Sequence, residues 1–426
     1  MWLASIGGAL EFYDFVIFVF FTAVIGKLFF AANLPDWVRQ LQTFGIFAVG
    51  YIVRPLGGIV MAHPGDTLGR KRVFTLSILL MAFPTLIIGL VPTYRSIGIG
   101  APLLLLVMRV LQGMAIGGEA PGGWVFVAEH APAHRTGLGI GLLTSGLSFG
   151  ILIGSLVTTL MHLFLSPEQI LAGFWRLPFL LGGVLGFFGL ILRRKLQETP
   201  VFEEIRTQAQ ARRELPLWVI LRTSPRAVVA SFAGTWVLTA GILVVILMTP
   251  TLLQNVFRLN ADKIQIANLA GTAALVVSTT VIGMAVDRYG LKRLAIPSMA
   301  FLALSTYALY FAAMHAPGAI LPLYILAGFG AGAVVLTPIA MVNAFPPLVR
   351  FTGVSFSYNI AYAIFGGLTP PLVAWLGQLN SLGPVYYVAA VAVIGAVGIL
   401  ISPNYVSNRC ELFPGQSLGV DTERRS

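Results

Sequence analysis

The chain has 426 residues, of which 57% are hydrophobic and only 10% charged, and its formal net charge is +11. Soluble domains carry about 25% charged residues, so an ordinary cytosolic enzyme, a nucleic-acid-binding protein and a disordered chain are excluded, and no nucleic-acid partner is expected. The composition is that of a chain whose solvent is mostly the lipid bilayer. Its single cysteine, Cys410, excludes an intrachain disulfide.

A membrane-spanning helix needs about 20 apolar residues. Windows broken by charge, Pro or Gly predict twelve, near 2–30, 41–62, 73–92, 101–128, 138–163 and 173–192, then 227–253, 264–286, 294–314, 319–342, 353–378 and 385–402. The first window carries Glu11 and Asp14 and has no basic flank, so it does not read as a cleavable signal peptide; a short cytoplasmic leader before it is expected. No strand-like alternation stands out. The expected fold is an all-α polytopic membrane protein of twelve transmembrane helices in two pseudo-symmetric six-helix bundles. The first bundle is expected over 1–192, a linker loop over 193–226, the second bundle over 227–403 and a tail over 404–426.

Charge sets the orientation. With both termini inside, 19 of the 27 Lys and Arg residues fall in inner loops and the tail, and six fall outside. That bias predicts cytoplasmic termini. The 193–226 loop holds eight basic and four acidic residues, as a tether on an anionic membrane face would.

An internal repeat supports two halves. Gly65-Asp66-Thr67-Leu68-Gly69-Arg70-Lys71-Arg72 follows the second window, and Val286-Asp287-Arg288-Tyr289-Gly290-Leu291-Lys292-Arg293 follows the eighth. Arg135-Thr136-Gly137 after the fourth window is echoed by Arg350-Phe351-Thr352-Gly353 after the tenth. Matching motifs at matching points are expected of transporters built from parallel repeats.

Charges inside spans cost about 2.5–3.5 kcal/mol each on insertion scales and default to functional roles. Here they are Glu11, Asp14, Arg54, Arg109 and Glu119, all in the first half. At ~1.5 Å per residue, Asp14 and Arg109 fall near the bilayer midplane. Asp14, with Glu11 on the same helix face, is read as the proton-coupling carboxylate, since burial raises a carboxylate's affinity for protons. The alternative is permanent pairing with Arg54 and Arg109. Arg109 is read as the fork for a substrate carboxylate, or else as held internally by Glu11 or Asp14. Arg54 and Glu119 are expected to form an intramembrane ion pair.

The second half offers uncharged groups: Trp236, Thr239, Asn268, Tyr358, Asn359 and Tyr362. These either line a polar cavity or hydrogen-bond between helices. Asp66, Arg70 and Asp287, with Glu129 and Arg135 beside them, lie at inner span ends, where screened pairs can form and break as the protein moves. Gly146, Gly150 and Gly154 give close-packing steps expected at a moving interface. His130 and His134 have zinc-like spacing, but Pro132 lies between them and no further ligand follows, so no metal is expected. No strand-mounted phosphate loop is present, so no nucleotide drive is expected.

These motifs resemble the major facilitator superfamily and, within it, the metabolite:proton symporter family. Glu11-Phe12-Tyr13-Asp14-Phe15, Arg54-Pro55-Leu56-Gly57-Gly58, Arg109-Val110-Leu111-Gln112-Gly113 with Gly117-Gly118-Glu119, Arg193 to Phe202, and Ala363 to Pro370 are similar to that family's spans and linker, in register along the chain. Thr67 and Asn343 depart from the pattern, where the family has Arg and Glu, and the tail lacks the heptads of the osmosensing carriers. The resemblance implies the major facilitator fold, in which Asp66, Arg70 and Asp287, joined by Glu129 and Arg135, act as a cytoplasmic gate that holds the inner side closed while the outside is open. It also implies proton-coupled symport of a small carboxylate-bearing or zwitterionic metabolite by alternating access, in the direction of uptake. It implies a monomer in a bacterial inner membrane, with no cofactor beyond the proton as coupling ion. A uniporter or exchanger of the same fold, a non-transporting sensor, and a membrane enzyme are the alternatives.

Overall fold

A computed structural model describes residues 2–57, 70–117, 119–194, 222, 224–346 and 349–404. It leaves out the side chains of 2–7, 11, 70–78, 119–120, 130, 133, 190 and 192–194. Among the described residues there is no strand. A helix is the natural outcome in lipid, because it satisfies its own backbone groups.

Among the described residues, twelve longer helical segments follow one another along the hydropathy windows, and eight of them are long and apolar enough to cross a membrane. The first half has α1 (Trp2–Phe20, continued as Thr22–Phe29), α2 (Asp36–Ile52), α3 (Arg70–Leu90), α4 (Gly100–Glu129), α5 (Thr136–Phe164) and α6 (Leu177–Arg194). The second has α7 (Pro225–Asn255), α8 (Ala261–Tyr289), α9 (Leu291–His315), α10 (Pro317–Ala344), α11 (Arg350–Leu379) and α12 (Gly383–Ile401). The two parts of α1 meet at a 60° bend.

Large apolar side chains face outward on these helices, among them Phe164 (79% exposed), Leu304 (67%) and Val393 (66%). Polar groups such as Asp14, Arg54, Arg109 and Asn268 are buried instead. This inversion of the soluble pattern is what a lipid solvent selects. α7 is the most enclosed of the eight described helices that are long and apolar enough to span, with 94% of its apolar window buried. Both α7 and α11 contain a wider π-helical stretch, Ala240–Met248 and Tyr362–Gly366. Such stretches commonly sit at functional sites.

The "near end" is the end that carries the start of α1 and the finish of α12. Two long seams stand out among the contacts that join the halves, beside shorter meetings of α1 with α7 and of α4 with α10. Along the first, α5 and α8 run antiparallel. At the near end, Asp287 accepts hydrogen bonds from the backbone N–H groups of Gly137 and Leu138, both 2.7 Å. The carboxylate of one half thus caps the helix N-terminus of the other, where the dipole favours negative charge. Farther along, Ser145 Oγ donates to the Val276 carbonyl (2.8 Å), Ser155 Oγ to Asn268 Oδ1 (2.9 Å) and Thr159 Oγ1 to the Gln265 carbonyl (3.1 Å). The backbones approach so closely that a Cβ on Gly283 would strike the Gly137 carbonyl.

The second seam joins α2 and the near half of α4 to α11. Tyr51 stacks on Tyr362 with ring centroids 5.0 Å apart, and Trp124 meets Tyr358 edge-on at 5.1 Å. Gln40 and Asn255 tie the opposite end by a 3.0 Å hydrogen bond, and Arg350 pairs with Glu129 at 3.6 Å at the near end. The halves therefore touch at both ends and in the middle.

Gly150 and Gly154 pack against α1, at the Ala9 carbonyl and at Phe20 and Val16. That contact lies inside the first bundle, whereas the expectation put it at the moving interface. The inter-half approach uses Gly137, Gly141 and Gly283 instead.

Candidate functional site

Arg109 lies in the middle of α4 and is fully buried. Its Nη1 donates to the Phe15 carbonyl (3.1 Å) and to Gln112 Oε1 (2.8 Å). The Phe15, Phe47 and Phe18 rings surround the guanidinium, with centroids 4.2, 4.7 and 5.0 Å away. Nε and Nη2 have no hydrogen-bond partner, and no described acid lies within salt-bridge reach. The expected internal clamp by Asp14 is therefore not made. Burying an ion costs several kcal/mol. Ring faces return about 0.5–2 kcal/mol each and charged hydrogen bonds about 1.5–3. The site can hold this cation, but leaves it short of an anion.

Asp14 is also buried, and its Oδ1 has no hydrogen-bond partner. Its carboxylate lies against α6, where a Cβ on Gly182 would meet Oδ1 and one on Gly186 would meet Oδ2. Thr85 of α3 borders the same spot. The preceding Tyr13 donates its hydroxyl to the Pro178 carbonyl (2.8 Å) and fixes α1 on α6. A hydrogen-bond path runs from Arg109 toward Asp14 and stops at Thr85, which borders the carboxylate without bonding to it. Arg109 donates to Gln112, Gln112 Nε2 donates to Thr85 Oγ1 (2.8 Å), and Thr85 donates to the Met81 carbonyl (2.9 Å). The side chain of Glu11 lies outside the described residues.

Arg54, at the start of the short helical stretch over 54–57 that follows α2 at the near end, is 3% exposed. Its guanidinium lies over Tyr362 (4.5 Å), Tyr51 (4.6 Å) and Phe15 (5.3 Å). The expected partner, Glu119, has its side chain outside the described residues, so that pair rests on the sequence alone.

The second-half candidates divide. Tyr362 and Tyr358 join the inter-half aromatic cluster, 4.9 Å apart, and Asn359 Nδ2 donates to the Gly117 carbonyl of α4 (2.5 Å) while its Oδ1 stays unpartnered. Asn268 is spent on structure. It accepts from Ser155 and donates to the Ile246 carbonyl (2.8 Å) and Tyr324 Oη (2.9 Å). Trp236 stacks on Phe365 at 4.3 Å and donates to Tyr387 Oη (2.7 Å), within its own bundle. Thr239 Oγ1 donates to the Trp236 carbonyl (2.6 Å).

Of the gate candidates, Asp287 and Glu129 do bridge the halves. Glu129 reaches Arg350, which the sequence marks only as part of the repeat motif after the tenth window, and Arg135 is exposed with no ion pair among the described residues. Asp66 lies outside the described residues, as does the Arg70 side chain. The reading also missed Gln112, Phe15 and Tyr51 as site-forming groups. Phe15 and Gln112 stand within the quoted motifs, which was the available signal.

Fold and site define a polytopic helical membrane protein with buried, incompletely paired charges near the junction of two bundles. A model of the Major Facilitator Superfamily matches residues 15–279. A relative in Staphylococcus aureus (strain COL) is 35% identical over 99% of this chain and 91% of its own length. The proline/betaine transporter of Escherichia coli (strain K12) is 30% identical over 92% of this chain and 81% of its own length. Among solved structures, a D-xylose-proton symporter superposes with a TM-score of 0.75 at 18% identity, over 96% of this chain and 98% of that one. That last likeness speaks to fold alone. The chain belongs to the major facilitator superfamily. It is an integral membrane transporter rather than an enzyme.

Proposed function

We propose that the chain takes up a small zwitterionic carboxylate, of the proline or betaine class, together with a proton. The observation that carries this reading is Arg109, a fully buried guanidinium with two nitrogens unbonded and no described acid in reach. A substrate carboxylate supplies the missing anion through a bidentate fork. The relatives that transport proline and betaine support a substrate of that kind.

Asp14 is the proton site, with Glu11 beside it on the helix. A proton on Asp14 removes one buried charge, and a carboxylate on Arg109 offsets another, so only the doubly loaded carrier reorients at low cost. Thr85 borders Asp14 and is tied through Gln112 to Arg109, and this proximity supports coupling between the two sites. Asp287, Glu129 and Arg350, with Asp66 and Arg70, close the cytoplasmic side. The carrier works as a monomer in the bacterial inner membrane with both termini cytoplasmic.

The test is uptake into proteoliposomes of a panel of labelled proline, glycine betaine and dicarboxylates, with and without an imposed pH gradient. Zwitterion accumulation is expected only with the gradient, and Asp14→Asn should abolish accumulation while sparing exchange. Gradient-independent equilibration would point to a uniporter, and binding without flux to a sensor. Either result rejects the proposal.

A further inference from the structure

We propose that the rings of Phe15, Tyr51 and Tyr362 form the seat for the substrate's positively charged nitrogen, and that Arg54 fills this seat in the substrate-free chain. The inference rests on the zwitterionic reading above. Three ring faces lie within 5.3 Å of one buried cationic centre, inside the roughly 6 Å range over which an aromatic quadrupole attracts a cation. A quaternary or secondary ammonium makes the same contacts as a guanidinium, with a smaller desolvation cost than a primary amine. The seat is also bipartite, since Phe15 and Tyr51 belong to the first half and Tyr362 to the second. A cation held there couples α1 and α2 to α11.

Phe15 fixes where the other end of the substrate goes. Its ring is shared, with Arg54 at 5.3 Å and Arg109 at 4.2 Å. In a betaine or an α-amino acid a single carbon separates the carboxylate from the nitrogen. A carboxylate on Arg109 therefore leaves the nitrogen beside the ring that both arginines touch. The rival arrangement is a clamp in which both arginines bind a dicarboxylate. The ring faces argue against it, because they present negative potential where a second carboxylate would have to lie. Arg54 is thus a stand-in for substrate: the nitrogen displaces it, and the exchange of one cation for another keeps the seat occupied throughout.

The purified full chain in nanodiscs is tested by competition between glycine betaine and tert-butylacetate, its isostere with carbon in place of the charged nitrogen. Wild type should prefer betaine by about tenfold, the size of a desolvated cation–π contribution. Tyr362→Leu should erase that preference while leaving the isostere's binding in place, and Tyr362→Phe, which keeps a ring face, should restore it. Arg54→Gln should bind betaine more tightly, because the internal competitor is gone. Equal binding of betaine and isostere by wild type would overturn the proposal. So would equal weakening of both by Tyr362→Leu, or loss of betaine binding in Arg54→Gln. Proton-driven carboxylate uptake without any preference for the charged nitrogen would sink the aromatic seat and leave the carrier standing. A clear preference in nanodiscs without flux in proteoliposomes would do the reverse.

Discussion

The two long seams between the halves are built from different chemistry. The α5–α8 seam is a ladder of side-chain-to-backbone and side-chain-to-side-chain hydrogen bonds over small residues, from Asp287 at one end to Thr159 at the other. The seam of α2 and α4 with α11 is aromatic around Arg54, with Tyr51, Tyr358, Tyr362 and Trp124. Hydrogen bonds in a dry seam are directional, and leaving one unmade costs about 1–3 kcal/mol. Ring faces are tolerant of what lies on them, provided that it is cationic. The first seam therefore specifies register and the second recognises charge.

That contrast can be broken at the hydrogen-bonded seam first. Gly283→Leu puts a side chain onto the Gly137 carbonyl. Overpacking of this kind costs about 3 kcal/mol, so a marked drop in thermal stability and loss of uptake are expected by scanning fluorimetry and flux. A stability equal to wild type would mean that the close approach is unimportant. Asn268→Leu is next. It leaves Ser155 Oγ without its acceptor and deprives the Ile246 carbonyl and Tyr324 Oη of a donor. A stability loss of about 2 kcal/mol with an unchanged ratio of proline to betaine affinity is expected, and a changed ratio would move Asn268 into the binding site. Gln112→Leu sharpens the comparison from the charged side. It removes the side-chain acceptor of Arg109 and the link to Thr85. Apparent substrate affinity should fall about fivefold, the effect of roughly 1 kcal/mol, and an unaltered affinity would separate Arg109 from that link.

The fold was legible because hydropathy reports helices directly, and because the Asp66 and Asp287 motifs mark equivalent points of two halves. Burial of Arg109 was legible from its depth in an apolar window. The direction of Asp14 was not. Adjacent helical residues point about 100° apart, so Asp14 faces α6 while Phe15, its neighbour, reaches both arginines. Spacing along one helix places Glu11 and Asp14 on a common face without saying which helices that face meets. The ring seat was hidden for a related reason: its three walls come from α1, α2 and α11, and the π-helical stretch that begins at Tyr362 shifts the register of α11 there. Aromatic residues in apolar windows carry no mark that separates a core ring from one that holds a cation. Asn268 shows the converse, a polar residue at mid-span whose bonding capacity is used within the protein.

The central claim is that Arg109 awaits the carboxylate of a substrate. Concentration dependence of pH-driven betaine uptake by Arg109→Lys, which keeps the charge and loses the fork, tests it most directly. The account predicts at least a tenfold rise in the apparent half-saturation concentration, as expected when about 1.4 kcal/mol of bidentate contact is lost. Half-saturation equal to that of wild type would contradict it.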